Sequence, residues 1–194
     1  MTRSIAATVQ AWDVAEPGVL HPFRAISEDI YWASGRNHAD LLSTVLAPGS
    51  RVVDFGCGDG RVAVPLQALG YSVIGVDAAP SILARLSTDI RAELSNGTDL
   101  LAALGGQADA IICIGVLPSR GYEAGAEIIS GLRAALRHDG LLILDWPTSE
   151  QPVEGETWLQ PTTWSLERQD QLCQEIGMKR LELGLPWPAF QAAA

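Results

Sequence analysis

Cysteine is scarce in this chain, basic residues never cluster, and no apolar stretch is long. The three cysteines, Cys57, Cys113 and Cys173, are spaced for neither a zinc site nor a disulfide framework. Reduced, buried thiols in a cytoplasmic protein are the expectation, with no metal. No segment approaches the roughly 18 uninterrupted apolar residues of a spanning helix, so no membrane partner is expected. Met1-Thr2-Arg3-Ser4 leads into no apolar run, so no signal peptide is evident. Lys and Arg number 13 against 23 Asp and Glu, a formal net charge of -10. Such a surface repels nucleic-acid backbones and gains nothing from counterion release, so no nucleic-acid partner is expected.

A length of 194 residues fits one domain, able to bury about two-thirds of its unfolded surface without disulfides. Its most informative stretch is Val52-Val53-Asp54-Phe55-Gly56-Cys57-Gly58-Asp59-Gly60-Arg61. Val52, Val53 and Phe55 read as the end of a buried strand. Arg61 to Leu69 reads as a helix closed by Gly70. The three glycines allow a sharp strand-to-helix turn with backbone close to a ligand. Turns of this kind usually cradle phosphates. Here Asp54 and Asp59 would repel a phosphate, and no lysine offsets them. A cationic amine would be favoured instead.

The dinucleotide fingerprint is G-x-G-x-x-G, with an acid about 20 residues on for the ribose. This chain has G-x-G-x-G, but it does have the acid: Ser72 to Val76 reads as a strand that Asp77 ends. The ligand pattern is therefore a ribose and an amine without phosphates, which S-adenosylmethionine fits. In VVDFGCGDGR and GVDAAP the chain resembles the class I S-adenosylmethionine-dependent methyltransferases. The resemblance runs from about Tyr31 to Met178. Ala108 to Cys113 is similar to the family's fourth strand. Leu136 to Leu144 is similar to its fifth strand with the preceding turn.

The resemblance implies an α/β fold: a Rossmann-like doubly wound sheet, mostly parallel, with helices on both faces and a short C-terminal antiparallel strand. Pro186 to Ala194 leave a thin allowance for that strand. Residues 1–46 are expected to form an N-terminal helical cap, with Asn37 to Leu46 helical. Pro80 begins a helix to about Ser87, and Ile90 to Leu94 reads as the third strand. Leu100 to Leu104 and Glu123 to Arg137 read as helices. Ser165 to Ile176 is the last helix, and Lys179 to Leu183 a sixth strand. Pro147, Pro152 and Pro161 mark an irregular stretch, and 147–164 is expected to be a lid. Its Trp158 and Trp164 point to a hydrophobic or aromatic acceptor.

In open α/β sheets ligands sit beyond the carboxyl ends of the strands. By resemblance, Asp54, Gly56, Cys57 and Gly58 hold the methionine end of the cofactor. Asp77 takes the ribose, with Ala78, Ala79 and Ile82 beside the adenine. Asp99, next to Leu100, accepts from the adenine amino group. Ile114 and Gly115, after the fourth strand, face the same crevice. Tyr31 and Trp32 fold over the cofactor, and Arg36 pairs with its carboxylate. Methyl transfer needs a base only when the acceptor atom must lose a proton. The candidates are Asp145, Tyr122, His38 and His21; His138 lies at the opposite edge. Ile114 to Arg120 lacks the N/D-P-P-Y/F signature, which argues against methylation of amide or base nitrogens.

The leading expectation is methyl transfer to a small-molecule acceptor by in-line displacement, in a monomer or homodimer. A protein that binds S-adenosylmethionine without transferring methyl, as a partner subunit or sensor, is the alternative. A nicotinamide oxidoreductase is disfavoured by the loop carboxylates and the glycine spacing.

Overall fold

The computed structural model describes residues 5–18, 26–155 and 160–193. Helices α1 (Ile5–Asp13) and α2 (Glu28–Ser43) precede strand β1 (Arg51–Phe55). There follow α3 (Ala63–Ala68), β2 (Ser72–Asp77), α4 (Pro80–Leu83), β3 (Arg91–Leu94), α5 (Leu100–Leu104) and β4 (Ala108–Cys113). A 3-10 turn at Leu117–Ser119 leads to α6 (Tyr122–Ala135) and β5 (Leu136–Leu144). The chain ends with α7 (Leu166–Glu175), β6 (Met178–Leu181) and β7 (Ala189–Ala192).

The seven strands form one sheet in the order β3-β2-β1-β4-β5-β7-β6. Strands β1 to β5 pair in parallel, while β7 runs antiparallel to both β5 and β6. Alternate residues of a strand point to opposite faces, and in β1, β2 and β4 both faces are apolar and buried, as a covered parallel sheet requires, while the edge strand β3 is largely exposed. Val53, Phe55, Ile111 and Cys113 pack with Leu104 of α5 and Ile128 and Leu132 of α6. Val52, Ala110 and Ile112 pack on the other face with Leu42 of α2 and Leu66 of α3. The order reverses between β1 and β4, so the loops after these strands diverge and leave a crevice.

The C-terminal strand fits its thin allowance because it is interior. Three of its four residues pair on both sides, Phe190 facing Leu142 on β5 and Arg180 on β6. Helix α2 begins at Glu28 rather than Asn37. Ser27 caps it, its side chain accepting from the Ile30 N–H, and Glu28 and Asp29 favour the first turn. Helix α4 stops at Leu83 rather than Ser87. Tight turns from Arg85 N to Ile82 O and Ile90 N to Ser87 O then bring Leu86 and Ile90 into the core. Strand β5 absorbs the turn expected before it: Asp139 takes a φ of 61°, and the register with β4 shifts between Ala108 and Ala110.

Candidate functional site

The loop after β1 is tied down by its neighbour strand. Gly56 N and Cys57 N both donate to Val76 O, at 2.8 and 3.0 Å. Gly56 has a φ of 79°, and a Cβ there would lie 2.2 Å from Val116 Cγ2. Glycine is thus required by conformation and by close approach. Asp77, at the end of β2, accepts from Gly58 N at 3.0 Å and from Ala79 N at 2.9 Å. One carboxylate therefore sets both the glycine loop and the turn into α4. Burial nonetheless raises the Asp77 carboxyl above its ordinary range.

A cavity opens where these loops meet. Its floor is Asp54, Phe55, Gly56, Cys57 and Gly58, with Asp77, Ala78 and Ile82 on the β2 side. Asn96 follows β3, and Ile114, Gly115, Val116, Ser119 and Arg120 follow β4. Trp12, Glu16, Gly18 and Tyr31 close it from the N-terminal segment. That segment is held down at several points. Ser81 N and Oγ donate to Asp13 at 2.8 and 2.7 Å, and Arg85 donates to Ala15 O at 2.9 Å. Asp59 accepts from Gly18 N at 2.9 Å and from the Tyr31 hydroxyl.

The electrostatics centre on Asp54 and Arg61. Asp54 is 4% exposed, and its Oδ2 has no hydrogen-bond partner. Burial pushes its carboxyl up to about 7, against the opposing charge of Arg61. Arg61 Nη1 lies 3.1 Å from both Ser34 Oγ and His38 Nδ1. A guanidinium has no lone pair to give, so His38 Nδ1 is the acceptor and its proton sits on Nε2. Burial, then the Arg61 charge, lowers the His38 pKa to about 4, consistent with that neutral ring. Gly35 lets α2 approach this group: a Cβ there would be 1.9 Å from the Arg61 carbonyl oxygen.

Ten of the sequence candidates line the cavity: Tyr31, Asp54, Gly56, Cys57, Gly58, Asp77, Ala78, Ile82, Ile114 and Gly115. Others lie elsewhere. Arg36 is exposed, because α2 buries Tyr31, Gly35, Ala39 and Leu42, and position 36 turns away from that face. Trp32 packs its edge on Tyr31, with ring centroids 5.2 Å apart, behind the cavity wall. Ala79 is buried beneath the α4 turn. Asp99 accepts from Ser95 Oγ at 2.6 Å and stays exposed, while Leu100 is in the core.

Three of the four base candidates, His38, Tyr122 and Asp145, are also placed away from the cavity. His38 is committed to Arg61 and stacks edge-on with Trp187. The Tyr122 hydroxyl donates to Thr163 O at 3.0 Å, and Arg168 covers its ring. Asp145 sits just behind the β4 loop, where Gly115 N–H donates to it and burial raises its carboxyl. His21 and Trp158 lie outside the described residues. In the stretch 147–164, Thr162 and Trp164 are buried, while residues 150–154 and 160–161 are exposed. Trp164 is 3% exposed and meets Trp146 and Tyr122 edge-on. Thr162 N donates to Pro118 O and Trp164 N to Pro147 O. Trp164 is thus a core residue.

Sequence reading took Asp59 as a charge favouring an amine, whereas it is bonded to Gly18 and Tyr31, and it missed Arg61, although both stand in the loop motif itself. It also missed Trp12, Glu16, Asn96 and Arg120, whose approach depends on how distant turns pack. Among the described residues, no group of three or more His, Cys, Asp or Glu could hold a metal. No helix among them is long and apolar enough to cross a membrane.

Comparison with known proteins bears on this geometry. The chain is similar to magnesium-protoporphyrin O-methyltransferase of Synechocystis, 34% identical over 91 residues, 44% of this chain and 40% of that protein. It is similar to a ubiquinone biosynthesis O-methyltransferase of Xanthomonas campestris, 35% identical over 84 residues, 40% of this chain and 35% of that protein. The aligned parts thus span well under half of these relatives. The crystal structure of magnesium protoporphyrin IX methyltransferase from Synechocystis PCC 6803 with bound S-adenosylmethionine shares the fold. Its TM-score is 0.65 at 17% identity, covering 98% of this chain and 92% of that one. A family model described as a methyltransferase domain matches residues 31–187. That span holds the glycine loop, Asp77 and the sheet through β6, so the chain belongs to the methyltransferase-domain family, with the class I fold.

Proposed function

We propose that the cavity binds S-adenosylmethionine and that the protein transfers its methyl group to a small-molecule acceptor by in-line displacement. The buried Asp54 carboxylate, with an oxygen lacking any partner, carries this reading. The Ala63 N–H donates to the carboxylate, but a buried carboxylate oxygen without a donor is costly, and an arriving ammonium would satisfy it. Arg61 beside it supplies the complementary charge for the amino acid's carboxylate. Each Asp77 oxygen accepts one backbone N–H and keeps a lone pair for a ribose hydroxyl. Ala78, Ile82 and Ile114 give apolar surface for the purine, and Cys57, Gly58 and Gly115 leave room for the chain of the ligand.

The bound cofactor supplies a methyl group already activated on a sulfonium. The protein's part is to align the acceptor and exclude water. The described residues 5–18 and 26–46 act as the cap, with Trp12, Gly18 and Tyr31 over the cavity and Asp59 anchoring Gly18 and Tyr31. The aromatic faces of Trp12 and Tyr31 favour an apolar or aromatic acceptor. The O-methyltransferase names of the relatives favour oxygen as the methylated atom. Asp145 positions the β4 loop through Gly115 rather than taking the acceptor's proton. The buried thiols suit a reducing, cytoplasmic setting.

The test is transfer of tritiated methyl from S-adenosylmethionine to a panel of phenols and catechols. Labelled product that requires both protein and acceptor is expected. Tight cofactor binding with no transfer to any phenol, amine or thiol would instead support a non-catalytic partner or sensor.

A further inference from the structure

Three arginines line the cavity; Arg85 donates to Ala15 O at 2.9 Å, and the other two divide the cavity between them. Arg61 serves the Asp54 end, among Tyr31, Ser34 and His38. Arg120 lies toward Asp77, whose charge it stabilises. Arg120 Nε and Nη1 are buried and have no hydrogen-bond partner. Asp77 does not satisfy them: its carboxylate accepts from Gly58 N and Ala79 N and makes no hydrogen bond to Arg120 Nε or Nη1. Unpartnered buried donors are costly, so an acceptor from a ligand is what this position lacks. Asn96 lines the same end. Its Oδ1 accepts from Thr98 N at 3.1 Å and from Thr98 Oγ1 at 2.9 Å, which leaves its amide NH2 to donate. Asp99, the acid expected to accept from the adenine amino group, is turned to Ser95 outside the cavity.

We propose that Arg120, with Asn96, reads the purine edge of the bound nucleoside as an array of hydrogen-bond donors. The inference rests on the S-adenosylmethionine reading above. Adenine offers several ring-nitrogen acceptors and a single exocyclic amino donor. A donor-lined edge uses the ring nitrogens and leaves the amino group unread. On the N7 side hypoxanthine carries an oxo acceptor where adenine carries the amino donor, while its N1 gains a proton and becomes a donor on the opposite side. A donor array on the N7 side therefore tolerates hypoxanthine, and its base selectivity is low.

Calorimetric titration of S-adenosylhomocysteine and S-inosylhomocysteine into wild type, Arg120→Met and Arg120→Lys tests this. Wild type is expected to bind the two ligands within about tenfold, since neither leaves a buried acceptor unpaired. Arg120→Met should weaken both by about tenfold or more, and Arg120→Lys should recover part of the loss at most. Thermal unfolding without ligand gives the readout that a structural arginine would fail. Arg120→Met removes buried unpaired donors, so its melting temperature should match or exceed wild type, by up to about 6 °C. Unchanged binding in Arg120→Met would overturn the proposal. So would rejection of S-inosylhomocysteine by about a hundredfold or more, the signature of an acceptor that reads the amino group. Lost binding with a lowered melting temperature would make Arg120 structural and overturn it too. Failure of wild type to bind S-adenosylhomocysteine would overturn the cofactor reading and this inference with it.

Discussion

Asp54→Asn is expected to weaken S-adenosylmethionine binding by roughly tenfold or more, because a hydrogen bond to a charged group contributes about 1.5–3 kcal/mol. The same change should stabilise the ligand-free protein at alkaline pH. Burial moves the Asp54 carboxyl from an ordinary 3.8 to about 7. Between those values the folded protein holds a proton that the unfolded chain has released. Stability is therefore full below the unfolded value and is lost as pH rises toward the folded one. Above it, a buried carboxylate without a full set of donors is a liability that asparagine does not carry. The melting temperature of Asp54→Asn should match wild type near about pH 4 and exceed it by several degrees near about pH 8. Ligand affinity should show the opposite dependence. Wild type should bind more weakly below about pH 7, where Asp54 is protonated, and Asp54→Asn should be flat with pH. Calorimetry and thermal unfolding across this range check both halves. An affinity unchanged by Asp54→Asn would make Asp54 a turn residue.

Asp77→Ala should have the larger effect on binding, about a hundredfold for S-adenosylmethionine and S-adenosylhomocysteine alike. Two losses combine. The ribose hydroxyls lose their acceptor, and Gly58 N and Ala79 N lose the carboxylate that orders the loop and the α4 turn. The two ligands differ at sulfur and share the ribose, so the factors should agree. A much larger loss for one of them would mean that Asp77 faces the sulfur end instead. Asp77→Asn separates the two roles, since its carbonyl oxygen can keep one backbone donor while its amide repels the other.

What the sequence made legible was local. The strand into Asp54, the glycine turn and the acid ending β2 follow from apolar runs and glycine spacing, and the structure puts them around one cavity. Strands β1, β2 and β4 were legible for the same reason, since strands covered on both faces read as continuous apolar runs. What stayed hidden depended on rotation and packing. Arg36 and Arg61 are both arginines near the loop, and the facing direction of α2 decides between them. Asp99 stands at a plausible spacing after β3, yet Ser95 captures it. Trp164 in a proline-rich stretch looks mobile by composition, but a bridge to Thr148 and contacts with Trp146 and Tyr122 bury it. Arg120 had no motif at all; the turn at Leu117–Ser119 carries it into the cavity.

The most direct test of the central claim is a calorimetric titration of the wild-type protein with S-adenosylhomocysteine and, separately, with NAD. A cavity that pairs an amine with Asp54, a carboxylate with Arg61 and a ribose with Asp77 should bind S-adenosylhomocysteine at a single site, in competition with S-adenosylmethionine. It should give no binding heat with NAD, whose pyrophosphate would face Asp54 and Asp59. Tight NAD binding without any S-adenosylhomocysteine binding would contradict the account.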